Sequence, residues 1–157
     1  MFFLYKKVIK INIQFKKIEN RYDKYYSYMK ALSWDTGHTY SFDNESGIEW
    51  LMQKMIGAYN DNELVALGCI KINYDIEKNE KYSELSSIVD YRYRRKGIAD
   101  KLLKEMLDYC KELNVQKVRV NILKSNMPSV SQIEKNEFDF VSFDDDIITF
   151  EKKLINN

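Results

Sequence analysis

The apolar positions of the chain change their period at one point, and the change marks a strand followed by a helix. Residues 84–89 contain Leu85, Ile88 and Val89 without a helix breaker, which is typical of a short buried strand. Further on, apolar residues recur every three or four positions, as in an amphipathic helix. They are Ile98, Leu102, Met106, Cys110 and Leu113. The sequence therefore predicts a strand, a turn and a helix between residues 84 and 113.

Similar patterns cover the rest of the chain. Strands are predicted where apolar residues alternate with polar ones or run together between turn formers. These strands are residues 8–15, 55–60, 63–73, 115–122, 138–142 and 147–153. Helical spacing predicts helices at residues 16–32 and 126–135, the second beginning near Pro128. A long polar loop is expected at residues 33–47, with a short helix at 45–54.

Three of these elements carry further expectations. The strand at 8–15 has one polar face and is expected at a sheet edge, and Gly68 suggests a bulge in an otherwise apolar strand. The helix at 16–32 has an apolar stripe rich in tyrosine. Its members are Ile18, Tyr22, Tyr25, Tyr26, Met29 and Leu32. We expect this stripe to pack into the core and its rim rather than to stack nucleic-acid bases, because no basic face accompanies it.

The turn that joins the central strand to its helix concentrates positive charge before a glycine. Its sequence is Arg94-Arg95-Lys96-Gly97-Ile98-Ala99. Backbone N–H groups in the first turn of a helix have no intrahelical acceptor, and the helix dipole adds partial positive charge there. Gly97 would let a phosphate approach the backbone, and Ala99 would let the helix lie close to its neighbour. An anion site is therefore predicted, although basic runs are also common in solvated turns.

These residues resemble a family signature. Arg94-x-x-Gly97-x-Ala99 after a strand ending in Ile88-Val89 is similar to the Arg/Gln-x-x-Gly-x-Gly/Ala pattern of the GCN5-related N-acetyltransferases (the GNAT superfamily). In that family the loop holds the pyrophosphate of acetyl-coenzyme A (acetyl-CoA), so the resemblance implies that residues 94–99 bind this cosubstrate. The order of predicted elements is also similar. It implies an α/β fold with a mixed, mostly antiparallel sheet of six to seven strands flanked by about four helices.

The resemblance continues, with departures, toward the C-terminus. Asn126 matches the asparagine of the family's Asn-x-x-Ala segment, which implies a cofactor contact, and Ser129 stands in place of the alanine. Residues 133–138 match the family's Tyr-x-Lys-x-Gly-Phe segment imperfectly. Ile133 replaces the tyrosine that often protonates the departing thiolate, and Glu137 replaces the glycine. The usual general acid is therefore missing from its position.

The implied chemistry sets requirements for further residues. Acyl transfer needs a neutral amine, an aligned carbonyl and stabilisation of charge on oxygen and sulfur. By resemblance, a backbone N–H at Ile88 or Val89 would hold the thioester carbonyl, and Glu84 would take the proton of the amine directly or through water. Glu84 is interpreted equally well as a solvent-facing residue at the start of a strand. His38, the single histidine, lies in the long loop and is more simply a surface residue than a base.

Length and composition fit one domain spanning residues 1–157. With 45% hydrophobic and 31% charged residues the chain can bury a core, and its net charge of +1 argues against a dedicated nucleic-acid binder. Cys69 and Cys110 fall on apolar faces without a Cys or His partner at metal-binding spacing, so no metal is expected. The apolar N-terminus is too short for a signal or membrane segment, and a cytoplasmic location is expected.

Three functions follow as hypotheses. The favoured one is an N-acetyltransferase that moves an acetyl group from acetyl-CoA to a primary amine of a small molecule or peptide, without nucleic acid or membrane and with a homodimer left open. The second is a non-catalytic acyl-CoA binding or regulatory module, suggested by Ile133. The third is an RNA-binding module built on Arg92 to Lys96. Acidic residues that could select a cationic amine are Asp35, Asp43, Glu45 and Asp144 to Asp146.

Overall fold

The computed structural model describes residues 11–34 and 52–154. The strands are β1 (Ile13–Ile18), β2 (Lys54–Asn60), β3 (Glu63–Asp75), β4 (Glu80–Val89), β5 (Lys117–Leu123), β6 (Asp139–Asp144) and β7 (Ile147–Lys153). The helices are α1 (Arg21–Leu32), α2 (Ile98–Glu112) and α3 (Met127–Lys135), with a 3-10 turn at Tyr91–Tyr93. The predicted α/β fold with a mixed sheet is confirmed, with seven strands and three α-helices in the described part. No helix in that part is long and apolar enough to cross a membrane.

All seven strands belong to one sheet, in the order β1-β2-β3-β4-β5-β7-β6. Neighbouring strands are antiparallel except β4 and β5, which are parallel. The edge position expected for the first strand is confirmed, and β2–β3 and β6–β7 form hairpins. β3 and β4 pair as far as Asp75 and Glu80, so only a short turn joins them. For the same reason β4 begins at Glu80 rather than at Glu84.

The parallel pair β4–β5 is joined over only four residue pairs, the last of which is Leu85 with Val120. β4 nevertheless stays paired with β3 as far as its final residue, and β5 stays paired with β7 in the same way. Both strands keep their outer partners while they separate from each other. They leave a V-shaped gap, here called the wedge, between residues 86–89 of β4 and residues 121–123 of β5.

α2 covers one face of the sheet with the apolar stripe that its periodicity predicts. Leu102, Met106 and Cys110 are buried in the larger apolar cluster. Gly68 of β3 lies beneath Met106, where a Cβ would stand 2.6 Å from the sulfur, so the glycine lets helix and sheet approach. The bulge expected at Gly68 is wrong. This residue is in regular register with both neighbouring strands, and the irregularity lies just before Tyr59 in β2.

α1 packs on the opposite face of the sheet through small residues. Ser27 and Ala31 are buried, whereas Tyr22, Tyr25 and Tyr26 are 83%, 59% and 68% exposed. The prediction that the tyrosine stripe packs into the core is therefore wrong. The physical reason is size, because serine and alanine let the helix lie closer to the sheet than tyrosines would.

The N-terminal boundary of α1 differs from the prediction. Residues 16–18 continue β1 instead of starting the helix. Asn20 then caps α1, and its side-chain oxygen accepts hydrogen bonds from two backbone N–H groups of the first turn. The loop expected at 33–47 and the helix expected at 45–54 lie mainly outside the described residues. At the end of the predicted helix, Lys54 instead begins strand β2.

Cys69 and Cys110 are both buried thiols rather than halves of a disulfide, as their positions in the pattern predict. Burial raises the pKa of the Cys110 thiol to about 11, although contact with the Ser83 hydroxyl at 3.4 Å partly offsets the increase. Cys110 is therefore a small apolar residue of the core rather than a nucleophile.

Candidate active site

A cleft of about 620 Å³ opens beside the wedge, between the first turns of α2 and α3. It brings together eight of the nine residues predicted to bind a cofactor. They are Ile88, Val89, Arg94, Arg95, Gly97, Ile98, Ala99 and Asn126. The ninth, Lys96, is not among the lining residues. Ser87, Ser125 and Gln132 also line the cleft, and no sequence motif marks them, because they come together only through strand pairing and helix packing.

The basic turn places two left-handed residues at one end of the cleft. Arg95 and Gly97 have positive φ angles of 61° and 77°, a conformation in which successive N–H groups converge. Gly97 is the N-cap of α2 and offers no side-chain acceptor to the first-turn amides. A Cβ at Gly97 would meet no atom within 4 Å. The glycine therefore suits the backbone angle and the open cleft rather than internal packing, and the turn fits an anion.

Asp90 anchors this turn to the end of β4. Its carboxylate pairs with the Arg92 guanidinium at 2.8 Å and accepts a hydrogen bond from the Arg92 N–H at 3.0 Å. Burial alone would raise the pKa of the Asp90 carboxyl, but the contacts with Arg92 outweigh it and hold the pKa below its ordinary value. Arg92 also pairs with Glu63 at 3.0 Å. Arg92 is thus neutralised and contributes little net charge to the cleft.

Among the described residues, the other cations of the turn have no acidic side chain as a partner. Arg94 donates hydrogen bonds to the backbone oxygens of Val89 at 3.2 Å and Trp34 at 3.3 Å, which fixes its guanidinium against the end of β4. Within the described ranges, no salt bridge is formed by Arg94, Arg95 or Lys96. This end of the cleft therefore carries the net positive charge that favours a phosphate.

The open edge of β4 presents main-chain groups to the wedge at alternate residues. The Asp90 N–H donates to the Val65 oxygen of β3 at 2.8 Å, and alternate residues of an antiparallel strand bond to the same neighbour. The Ile88 N–H therefore also faces β3, whereas those of Ser87 and Val89 face the wedge. Of the two amides predicted to hold a carbonyl, this alternation favours Val89 over Ile88, and it adds Ser87.

α3 forms the facing wall and is tied to α2. The Asn126 side chain caps α3 by accepting a hydrogen bond from the Ser129 N–H at 3.4 Å. At the other end of α3, Asn136 donates to Asp100 of α2 at 2.9 Å. This bond and the Lys104 ammonium at 3.0 Å lower the pKa of the Asp100 carboxyl. The two walls of the cleft are thus held at a fixed separation.

Glu84 lies on the sheet face away from α2. Its neighbour Ser83 contacts Cys110 of α2, and side chains of successive strand residues point to opposite faces. Glu84 is in register with Lys71 of β3 and Arg119 of β5. Its carboxylate forms no ion pair with any described residue. It is therefore an unpaired, half-buried carboxylate near the closed end of the wedge.

Of the remaining residues considered for the active site, Ile133 is buried, and several others lie outside the described part of the chain. Ile133 is 5% exposed and lies in the larger apolar cluster, at the narrow end of the wedge. Glu137 has a φ angle of 64°, a left-handed value that suits glycine. Glycine is the residue that the family's Tyr-x-Lys-x-Gly-Phe segment has at this position. His38 and the acidic loop residues 35, 43 and 45 lie outside the described residues. The described residues contain no group of acidic, His and Cys side chains that could hold a metal ion.

Comparison with known proteins extends these observations. The sequence model of the acetyltransferase (GNAT) family matches residues 15–138. No curated protein matches the chain. A GNAT-family acetyltransferase from Streptococcus pneumoniae aligns with a TM-score of 0.74 at 14% identity, over 91% of this chain and 99% of that one. An N-acetyltransferase from Staphylococcus aureus Mu50 gives 0.70 at 15% identity, over 92% and 99% of the two chains.

A third solved structure includes a ligand. The protein yncA of Salmonella typhimurium, described as a candidate acetyltransferase and solved with its cofactor acetyl-CoA, aligns with a TM-score of 0.73 at 12% identity, over 93% of this chain and 96% of that one. Likeness at such low identity shows a shared fold, and the fold expected from the resemblance is confirmed. The family match covers most of the sequence. The chain therefore belongs to the GNAT acetyltransferase family.

Proposed function

We propose that the protein transfers an acetyl group from acetyl-CoA directly to a primary amine of a small molecule or a peptide. The observation that carries the proposal is the meeting, in one cleft, of a basic turn, whose cations Arg94 and Arg95 form no salt bridge with any described residue, and the open edge of β4. The first suits a pyrophosphate, and the second suits the amide-bearing arm and thioester of coenzyme A. The acetyl-CoA in the structure of yncA supports the choice of ligand.

The residues of the cleft have separable roles in holding acetyl-CoA. Arg95, Gly97 and the first-turn amides of α2 would bind the pyrophosphate. The wedge-facing N–H groups of Ser87 and Val89 would pair with carbonyl groups of the extended arm. Ser87 is the one nearer the closed end of the wedge, where the thioester is expected. Its N–H would stabilise the negative charge that develops on the thioester oxygen.

The amine would approach from the sheet face that bears Glu84. Glu84 is three residues from Ser87, about 10 Å along the strand, so the proton would reach its carboxylate through a bridging water. As the C–N bond forms, the carboxylate accepts the proton of the amine, and the C–S bond breaks with its electrons leaving on sulfur. A thiol pKa of roughly 8.5 makes the thiolate a fair leaving group near neutral pH. An acid at position 133 is then not essential.

A non-catalytic acyl-CoA binding module is the second candidate. It is favoured by the burial of Ile133 where the family commonly has an acid. The RNA-binding hypothesis is weaker, because Arg92 is neutralised by Asp90 and Glu63. The homodimer and the cytoplasmic location stay predictions.

The test is release of free coenzyme A from acetyl-CoA with a panel of amines that includes amino acids, polyamines and short peptides. We expect release above the buffer rate, and an acetylated product, with at least one amine. Arg95→Gln should weaken acetyl-CoA binding by about 1.5–3 kcal/mol, as expected for loss of a charged contact. Lys101→Gln, which removes another exposed cation of α2 outside the cleft, should not. Binding of acetyl-CoA without release for any amine would favour the second candidate.

A further inference from the structure

A smaller cavity of about 70 Å³ lies in the wedge itself. Four polar residues line both this cavity and the larger cleft, so the two spaces communicate. They are Ser87, Asn126, Ser129 and Gln132. Apolar side chains from β4, α2, β5 and α3 line the smaller cavity only. Among them are Leu85, Leu103, Met106, Val120 and Ile133. Ser86 and Asn121 also line the smaller cavity alone, so it is a recess with mixed walls, and its mouth on the cleft is polar.

We propose that this recess receives the acyl group, and that it accepts acyl chains one or two carbons longer than acetyl. The inference rests on the proposed function, because it takes the cleft to hold coenzyme A. Ser87, whose N–H faces the wedge, lines the mouth of the recess. A thioester carbonyl held there directs the rest of its acyl group between β4 and β5. The reaction is otherwise unchanged: a C–N bond forms, the C–S bond breaks, and the amine proton passes to Glu84.

The volume of the recess sets the length of chain that it holds. A buried water needs only about 10–15 Å³ on this scale, and an engineered apolar cavity of about 150 Å³ binds the six carbons of benzene. By proportion, about 70 Å³ has room for about three carbons. The methyl group of acetyl leaves part of this space empty, whereas the ethyl and propyl groups of propionyl and butyryl fill it. A hexanoyl chain is too long.

The walls of the recess suit an aliphatic chain. Ile133 contributes a branched alkyl group at the position where the family pattern has a phenol. Met106 contributes an unbranched side chain that adapts to different shapes. The chain therefore has a softer and more apolar acyl site than one walled by tyrosine.

Binding of a series of acyl-CoA thioesters to the wild-type protein tests the proposal. The series is coenzyme A, acetyl-CoA, propionyl-CoA, butyryl-CoA and hexanoyl-CoA, with dissociation constants from calorimetry. We expect propionyl-CoA to bind at least as tightly as acetyl-CoA, with a gain of up to about fourfold for a buried methylene, and hexanoyl-CoA to bind more weakly than butyryl-CoA. Weaker binding of propionyl-CoA than of acetyl-CoA would overturn the proposal. Failure of both coenzyme A and acetyl-CoA to bind would instead overturn the proposed function.

A matched pair of variants locates the effect. Val120→Ile adds a methylene to the wall of the recess, and Val118→Ile adds the same group two residues earlier on β5, in the core but away from the recess. We expect the ratio of propionyl-CoA to acetyl-CoA affinity to fall about fourfold in the first variant and to stay constant in the second. Thermal melting shows whether each variant is folded. Equal ratios of propionyl-CoA to acetyl-CoA affinity in the two folded variants would contradict the placement of the acyl group in the recess. If either variant unfolds, the acyl-CoA series with the wild-type protein alone decides whether the recess holds the acyl group.

Discussion

Two residues beside the cleft have left-handed backbone angles, Arg95 at φ 61° and Gly97 at φ 77°. This conformation costs a residue with a side chain roughly 1–2 kcal/mol, whereas glycine adopts it freely. Such strain persists only where the surrounding structure maintains it, and it is common at binding sites. At Arg95 the angle turns the main chain toward the cleft. At Gly97 the absent side chain also leaves room for a ligand.

Gly97→Ala separates backbone strain from ligand contact. Since the added Cβ meets no protein atom, we expect the variant to fold with a loss of about 1–2 kcal/mol in the free energy of unfolding. The methyl group would stand where a phosphate approaches. We therefore expect the dissociation constant of coenzyme A to rise more than about tenfold, which corresponds to about 1.4 kcal/mol. Urea denaturation and calorimetric titration measure the two effects. Unchanged affinity in the folded variant would contradict the placement of the pyrophosphate.

Glu84→Gln keeps the size of the side chain and removes its basicity. We expect kcat/KM at neutral pH to fall by about 10²–10⁴, the usual contribution of a general base. Activity should recover toward about pH 10, where more of the acceptor amine is already neutral. Glu105→Gln, at an exposed carboxylate of α2, is the control and should leave the pH profile unchanged. If the Glu84 variant has the same pH profile of kcat/KM as the wild type, Glu84 has only a structural role in the sheet.

Among the elements, β4 has the most varied surroundings. It pairs with β3 along its full length, with β5 over its middle residues only, and faces the wedge beyond Leu85. One strand therefore joins the core to the cleft. Its exit is fixed by Asp90, whose N–H bonds to β3 and whose carboxylate holds Arg92. The position of the basic turn depends on this anchor.

The anchor should make stability depend on pH. Because the pKa of Asp90 is lowered in the folded protein, its contribution is complete above the unfolded value of about 3.9 and is lost as pH falls through the folded value. Asp90→Asn should therefore destabilise the protein by about 1–3 kcal/mol at pH 7 and by less at about pH 3. Urea unfolding at both pH values measures this, with Asp108→Asn on the exposed side of α2 as control. Equal losses at the two pH values would exclude an ionic anchor.

The helices show what periodicity predicts and what it misses. In α2 large apolar residues mark the face that packs, and both the helix and its buried side follow from the sequence. In α1 the large residues recur at the same spacing, yet Ser27 and Ala31 contact the sheet. Spacing identifies a helix in both cases. It identifies the packed face only where no competing row of small residues lets the backbone approach more closely.

At the scale of the whole molecule, the sheet separates a cofactor side from a side where an acceptor could bind. The cleft lies with α2 and α3, and Glu84 lies on the other face. There Lys71, Glu84, Arg119 and Glu151 are consecutive partners across β3, β4, β5 and β7, with charges of alternating sign. Opposite charges in such a row favour the pairing. The wedge is the place where the two sides meet.

This arrangement explains which site residues could be predicted. Residues 94–99 are contiguous, and the physics of a helix start is local, so the sequence alone identifies them. Ser87 and Gln132 are ordinary polar residues that reach the cleft only because β4 and β5 separate and α3 packs beside them. That separation depends on pairing between β4 and β5, whose partner residues, such as Tyr82 and Lys117, are far apart in the sequence. No local pattern records it.

The open edge of β4 also bears on how such a protein can evolve. A docking surface made of peptide groups is supplied by every residue type except proline, so mutation changes it little as long as the strand keeps its path. The three solved structures compared above share this fold at 12–15% identity. Side chains can therefore change widely while the strand that carries this edge keeps its place in the fold. Selection is then free to vary the opposite face, and with it the choice of acceptor, one substitution at a time.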